Sequence, residues 1–201
     1  MIFLVETKLE GVSDSLIKSI WWTDSFRYVF SPSEGFLGGL IVVWEVSKFT
    51  MHEVCRDSRF LLMSGVWVLE EWKCGMIAVY ALCATSEKLV CWYSLTALIE
   101  SLALLVCCAG DFNMVMSLAE RQNCLGDRLG MTALIKFIEE IGLLNFSTFG
   151  SKFTWCGGDS KGSCIDRFFV SAGWVERFTD LEQHNLSGAF LIIHRYVYQV
   201  V

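Results

Sequence analysis

Acidic and amide side chains stand where apolar runs begin or end. Glu6 closes Met1-Ile2-Phe3-Leu4-Val5 and is followed by Thr7-Lys8. Asp111 and Asn113 follow the run Leu105 to Ala109, and Asp166 opens the run through Phe168-Phe169-Val170. A carboxylate fixed at a strand end can hold Mg²⁺ through oxygen ligands. A carboxylate beside an amide can orient a water and contact a phosphate oxygen. Tyr80, in Val79-Tyr80-Ala81-Leu82, could present a phenol to a phosphate. Each has a plainer reading as well. Glu6 is also what an exposed acid at a strand terminus looks like, and Asp111 to Asn113 fits an Asx turn. Asp166 could pair with Arg167 or a turn amide, and Tyr80 could simply pack. The three histidines, His52, His184 and His194, form no Ser/His/Asp or HExxH arrangement. Gly35 to Gly39 lacks a phosphate-loop lysine.

The elements that must position these groups follow from periodicity. Met1 to Val5 is apolar and β-prone, a buried strand ending at Glu6. Asp14 to Ile20 reads as a short helix with Ser13 or Asp14 as N-cap. Ser33-Glu34-Gly35 marks a loop, and Gly38 to Trp44 a strand entered through glycines. Phe60 to Leu69 is an apolar run and Gly75 to Leu82 a further strand. Ser86 to Leu104 is helical, then Leu105 to Ala109 is a buried strand. In Thr132 to Ile141 the residues Ala133, Leu134, Phe137, Ile138 and Ile141 fall at helical spacing, with Gly142 as C-cap. Phe146 to Trp155 and Ser163 to Ser171 read as strands around a turn at Gly157 to Ser160, and Phe190 to Ile193 as a last strand. Alternating strands and helices with hairpin-like pairs predict a mixed sheet arrangement.

Composition sets bounds. A chain of 201 residues fits one domain, or a slightly truncated one, and can bury a sizeable core. Apolar residues make up 54% and mean hydropathy is +0.47. The longest apolar stretch, Leu95 to Ala109, is interrupted by Glu100 and falls short of the roughly 20 residues a spanning helix needs. No membrane partner is expected. The N-terminus reaches Glu6 with no basic segment, unlike a signal peptide. The 9 cysteines are scattered without CxxC or zinc spacing. They read mainly as small buried hydrophobes in a reducing compartment, so the chain is expected to be intracellular, nuclear or cytoplasmic, and not secreted. A net charge of −6 argues against tight non-specific DNA binding. The single proline, Pro32, where about ten would be usual, reads as sequence drift.

Taken in order, segments 4–10, 35–45, 78–82, 108–121, 137–158, 164–178 and 186–193 resemble the endonuclease/exonuclease/phosphatase superfamily. Within it the match is to the endonuclease domain of plant LINE-type non-LTR retrotransposons, over nearly the whole chain. The resemblance implies an α/β (α+β) fold, a four-layer sandwich of two mixed β-sheets flanked by helices, with residues 1–201 as one domain. It implies Mg²⁺-dependent phosphodiester hydrolysis, DNA as partner, and a reverse transcriptase domain in the same ancestral polyprotein. Glu6 would be the metal ligand, and Tyr80 would sit near the scissile phosphate. Asp111 would activate or orient the attacking water, Asn113 would bind phosphate, and Asp166 matches the acid of the family's strand motif.

The departures from the family pattern decide the expected activity. The family ends its site with Ser-Asp-His; here the run is Leu186-Ser187-Gly188-Ala189. Gly188 and Ala189 thus replace the Asp-His pair, whose acid–base help is worth typically 10²–10⁴-fold. His184 and His194 lie five residues either side of Ala189, with no geometric reason to substitute for it. Ala81-Leu82 stand where the family has Gly-Pro after its tyrosine, and the family's first strand, with its asparagine, precedes the match. The expectation is a degenerate, N-terminally truncated endonuclease domain with impaired or absent catalysis. The alternatives are an active nuclease or phosphatase with a rearranged site, a non-catalytic module binding nucleic acid or protein, and a translated remnant with no selected function.

Overall fold

The computed structural model describes residues 1–35, 37–146, 148–178, 181–186, 190–192 and 199–200. In chain order the elements begin β1 (Ile2–Leu4), α1 (Asp14–Ile20), β2 (Phe26–Glu34), β3 (Leu37–Glu45), β4 (Phe49–Arg56), β5 (Phe60–Trp67) and β6 (Trp72–Tyr80). There follow α2 (Thr85–Leu102), β7 (Val106–Asp111), a 3₁₀ turn (Leu118–Glu120), β8 (Arg121–Gln122), α3 (Arg128–Ile141), β9 (Leu143–Asn145) and β10 (Thr148–Gly150). The chain continues through β11 (Trp155–Gly157), β12 (Lys161–Ser163), β13 (Asp166–Ser171), α4 (Ala172–Arg177), β14 (Gln183–Leu186), β15 (Phe190–Ile192) and β16 (Gln199–Val200).

Alternation along the strands creates the layers. Every second residue of β6, β7 and β13 (Cys74, Met76, Ala78; Cys107, Ala109; Phe168, Val170) meets Phe3, Leu40, Val42 and Trp44 of the opposing sheet in one buried core. The residues between them (Ile77, Val79; Val106, Cys108; Phe169) face Trp92, Leu95, Leu134 and Phe137 of α2 and α3. A third cluster seats Ile17 of α1 on Ile2, Ile41 and Val43. The result is four layers: α1, a sheet in the order β16-β1-β3-β2, a sheet in the order β4-β5-β6-β7-β13-β9, then α2 with α3. These two larger sheets are both mixed, and two three-stranded sheets, β10-β14-β15 and β11-β12-β8, accompany them. β1 pairs β16 in parallel and β3 antiparallel, while β6 and β7 are the parallel pair of the larger sheet. The predicted sandwich of two mixed sheets flanked by helices is the observed architecture.

Local signals place most elements. Ser13 Oγ accepts from Leu16 N–H at 3.3 Å and caps α1. Gly142 takes φ +67 and ends α3. That helix starts a turn earlier than its apolar spacing predicts, because Asp127 accepts from Gly130 N–H at 2.9 Å. The stretch Phe146 to Trp155, read as one strand, is broken: β9 ends at Asn145, β10 occupies Thr148–Gly150, and β11 starts at Trp155. Gly150, at φ +94, is the last residue of β10. β2 and β4 escape the sequence reading, although Phe26, Tyr28 and Phe30 alternate onto the α1 face. Of the 9 cysteines, all free thiols, Cys74, Cys91, Cys107, Cys108 and Cys164 are buried as small hydrophobes. Among the described residues no helix is long and apolar enough to cross a membrane.

Candidate active site

The chemistry-bearing residues meet because of how β6, β7 and β13 run. The crossover through α2 makes β6 and β7 parallel, so both end at the same edge of the sheet. β13 is antiparallel to β7, so its first residue lies at that edge too. The register sets Tyr80 opposite Asp111 and Asp111 opposite Asp166, three neighbours across three strands. All share the parity of the core between the sheets, so they stand at its open end. Glu6, just past β1, arrives from the facing sheet. Glu6, Tyr80, Asp111 and Asn113 line one cleft of about 590 Å³, with Asp166 one strand beyond Asp111.

Asn113 reaches this position by a route that strand alternation does not describe. β7 stops at Asp111, and Asn113 adopts φ +47. Its backbone N–H donates to Asp111 Oδ1 at 2.7 Å, closing an Asx turn. Its amide donates to Asp111 Oδ2 at 3.2 Å and to the Ala81 carbonyl at 2.7 Å. Both amide hydrogens are therefore engaged, and Asn113 acts on the Asp111 carboxylate. A phosphate contact needs one of these bonds to be exchanged. Between the two polar residues Phe112 points the other way, fully buried against Trp92 and Phe169.

The carboxylates burden one another. Burial and then the charge of Asp166 push the Asp111 carboxyl up to about 8, with Glu6 adding to the rise and the Asn113 N–H opposing it. Asp166 is also raised by burial, and the Thr154 hydroxyl counters this. Thr154 Oγ1 also accepts from the Ile165 and Asp166 N–H groups at 2.9 and 3.0 Å. Arg167 is ion-paired with Glu120 and donates to the Cys164 carbonyl at 3.1 Å, so it helps Asp166 only through its charge. Burial, then Glu6 and Asp111, push the Tyr80 phenol to about 12, so it stays a neutral donor at any physiological pH.

Two positive groups absent from the sequence reading line the cleft, beside a tryptophan expected only as a structural strand residue. Arg121, Lys161 and the half-exposed Trp155 line the cleft wall formed by β8, β11 and β12. Lys88, only 4% exposed, is held near Asp127, Cys83 and Asp111; burial lowers its pKa. His52 lies on edge strand β4, and His184 stacks on Phe149 and bonds Glu182 at 2.8 Å. Gly188, Ala189 and His194 lie outside the described residues.

A divalent metal is the cofactor that the family resemblance implies. The donors are all oxygens, from Glu6, Asp111, Asp166 and Asn113, which suits a hard cation. Among the described residues no three His, Cys, Asp or Glu side chains converge into a ready metal cage. Mg²⁺ does not need one, since it keeps several waters and binds through one or two carboxylates plus substrate phosphate. The mutual repulsion of the acids is what a cation would relieve, so the residues fit it.

No family model and no curated protein sequence matches the chain. Solved structures do. The catalytic domain of Xenopus laevis APE2 is similar at 15% identity and TM-score 0.60, over 87% of this chain and 74% of that one. The human Nocturnin catalytic domain with bound sulfate is similar at 9% and 0.56, over 85% and 68%. An endonuclease/exonuclease/phosphatase family protein of Bacteroides thetaiotaomicron is similar at 12% and 0.53, over 74% of this chain. The match spans 61% of that bacterial protein's length. At these identities the likeness is one of architecture: the chain has the fold of the endonuclease/exonuclease/phosphatase proteins.

Proposed function

We propose that residues 1–201 form one domain of a Mg²⁺-dependent phosphodiesterase of the plant LINE-type retrotransposon endonuclease kind, with impaired catalysis. The observation that carries this reading is the row Tyr80–Asp111–Asp166 at one sheet edge, faced by Glu6 across the cleft. Glu6, with Asp111, would hold the cation. When bound, the cation supplies positive charge to the phosphoryl oxygens and keeps the carboxylates ionised. Tyr80 donates a hydrogen bond to a phosphate oxygen. Asp111, aligned by Asn113, holds the attacking water and takes its proton. Arg121 and Lys161 contact flanking phosphates of a nucleic-acid strand.

The weak point is the leaving group. Gly188 and Ala189 offer no proton donor and no charge support where the family has Asp-His. Nicking of supercoiled plasmid with Mg²⁺ tests the reading on three forms: the chain itself, Asp111→Ala, and the repair Gly188→Asp/Ala189→His. The expected result is little or no nicking by the chain and gain of nicking on repair. Strong nicking by the chain that Asp111→Ala abolishes would replace impairment with a rearranged, working site. Salt-dependent DNA binding with no nicking in any form would favour a binding module, which Arg121, Lys161 and Trp155 in the cleft make chemically reasonable.

A further inference from the structure

Among the described residues that line the cleft, Glu6 is the contribution from the smaller sheet's side. Its backbone is held in an uncommon state. Glu6 has φ +54 and Lys8 φ +57, the left-handed region that L-residues seldom occupy and that the surroundings must enforce. The enforcing contacts come from the start of β3. Thr7 N–H donates to the Gly39 carbonyl and Lys8 N–H to the Gly38 carbonyl, each at 3.0 Å.

Both glycines sit at positive φ, where an L side chain is strained, and Gly39 also lacks room for a Cβ. At Gly39 (φ +85) a Cβ would lie 2.4 Å from Thr7 Oγ1 and 3.0 Å from the Lys8 nitrogen. At Gly38 (φ +76) the strain is the backbone's alone, since a Cβ would meet the Ser58 carbonyl at 3.4 Å and the Tyr80 ring at 3.7 Å, ordinary contact distances. One glycine thus lies under the turn that carries Glu6, the other beside the Tyr80 ring. Among the described residues the buried Thr7 hydroxyl has no hydrogen-bond partner.

We propose that Gly38-Gly39 is a positioning element of the cleft, which fixes the Glu6 carboxylate through the Thr7-Lys8 backbone. The proposal rests on the reading above in taking Glu6 as a cation ligand. It assigns a cleft role to residues that touch neither substrate nor metal.

The test is Mn²⁺ affinity of the intact chain by isothermal titration, with hydrogen exchange of the Thr7 and Lys8 amides as a metal-free readout. Gly39→Ala is compared with Gly142→Ala, which has similar left-handed strain (φ +67), open space around its Cβ and a place at the end of α3. The expected result is at least tenfold weaker Mn²⁺ binding and at least tenfold faster Thr7 and Lys8 exchange in Gly39→Ala, with neither change in Gly142→Ala. Equal Mn²⁺ affinity in Gly39→Ala and the parent chain overturns the proposal, as does an equal loss in Gly142→Ala. If the parent chain binds no Mn²⁺, the cation reading fails on its own. The exchange rates then decide whether the glycines hold the Glu6 turn, and unchanged rates overturn that as well.

Discussion

At the residue scale the chain carries a carboxylate that its fold would rather see neutral. Asp111 is raised from an ordinary carboxylate to about 8 by burial and by Asp166. A raised folded-state pKa contributes stability that is complete below the unfolded value near 4 and is lost as pH climbs through about 8. In EDTA the protein should therefore lose stability between pH 4 and 8. Asp111→Asn, which keeps an acceptor for the Asn113 N–H, should flatten that slope and stabilise the chain at pH 8 by up to about 5 kcal/mol. Urea denaturation at pH 5, 7 and 9 measures it. A parallel slope in both forms would show that Asp111 is ionised throughout. Groups that cost stability and face a cleft mark function, and here the cost is concentrated where the proposed cation sits.

At the element scale a single ion pair ties the two segments that carry the acids. The Glu120 carboxylate accepts from Met116 N–H at 2.7 Å, from Ser117 N–H at 3.3 Å and from Arg167. Its carbonyl accepts from Cys164 N–H at 3.0 Å. The loop after Asn113 is thereby fastened to the start of β13. Arg167 is 2% exposed and cannot be left alone there. Glu120→Ala should cost about 3–5 kcal/mol in urea denaturation, as breaking a buried pair does. Glu120→Leu/Arg167→Met, which removes both charges, should recover most of that loss. If the double change is as damaging as the single, the loop's hydrogen bonds, and not charge burial, dominate.

At the scale of the whole molecule, charge and surface disagree in a testable way. Net charge is −6, yet the cleft wall presents Arg121 and Lys161. DNA binding should accordingly be weak and local. For a 20-nucleotide strand, log affinity against log salt should fall with a slope of about −2, since each neutralised phosphate contributes about −0.7 to −0.9. Fluorescence anisotropy between 25 and 200 mM NaCl gives the slope. A value steeper than about −5 would require a basic surface elsewhere on the molecule.

Much of this was legible in residue order. Continuous apolar runs announce β1, β3, β6, β7 and β13, because side chains of a strand between two layers must be buried on both faces. Ser13 and Gly142 announce helix ends through the hydrogen bonds and the φ that helix termini demand. Glu6, Tyr80, Asp111, Asn113 and Asp166 are recognisable as polar residues at the edges of those runs. What tertiary structure decided is their relation. Register across β6, β7 and β13 is a long-range property of strand pairing, and it alone puts Tyr80, Asp111 and Asp166 side by side. Lys88, Arg121 and Lys161 join the site through packing between distant segments, which no local periodicity encodes. The carboxyl of Asp111 is set by burial and by a neighbour 55 residues away, so its chemistry exists only once the sheet has formed.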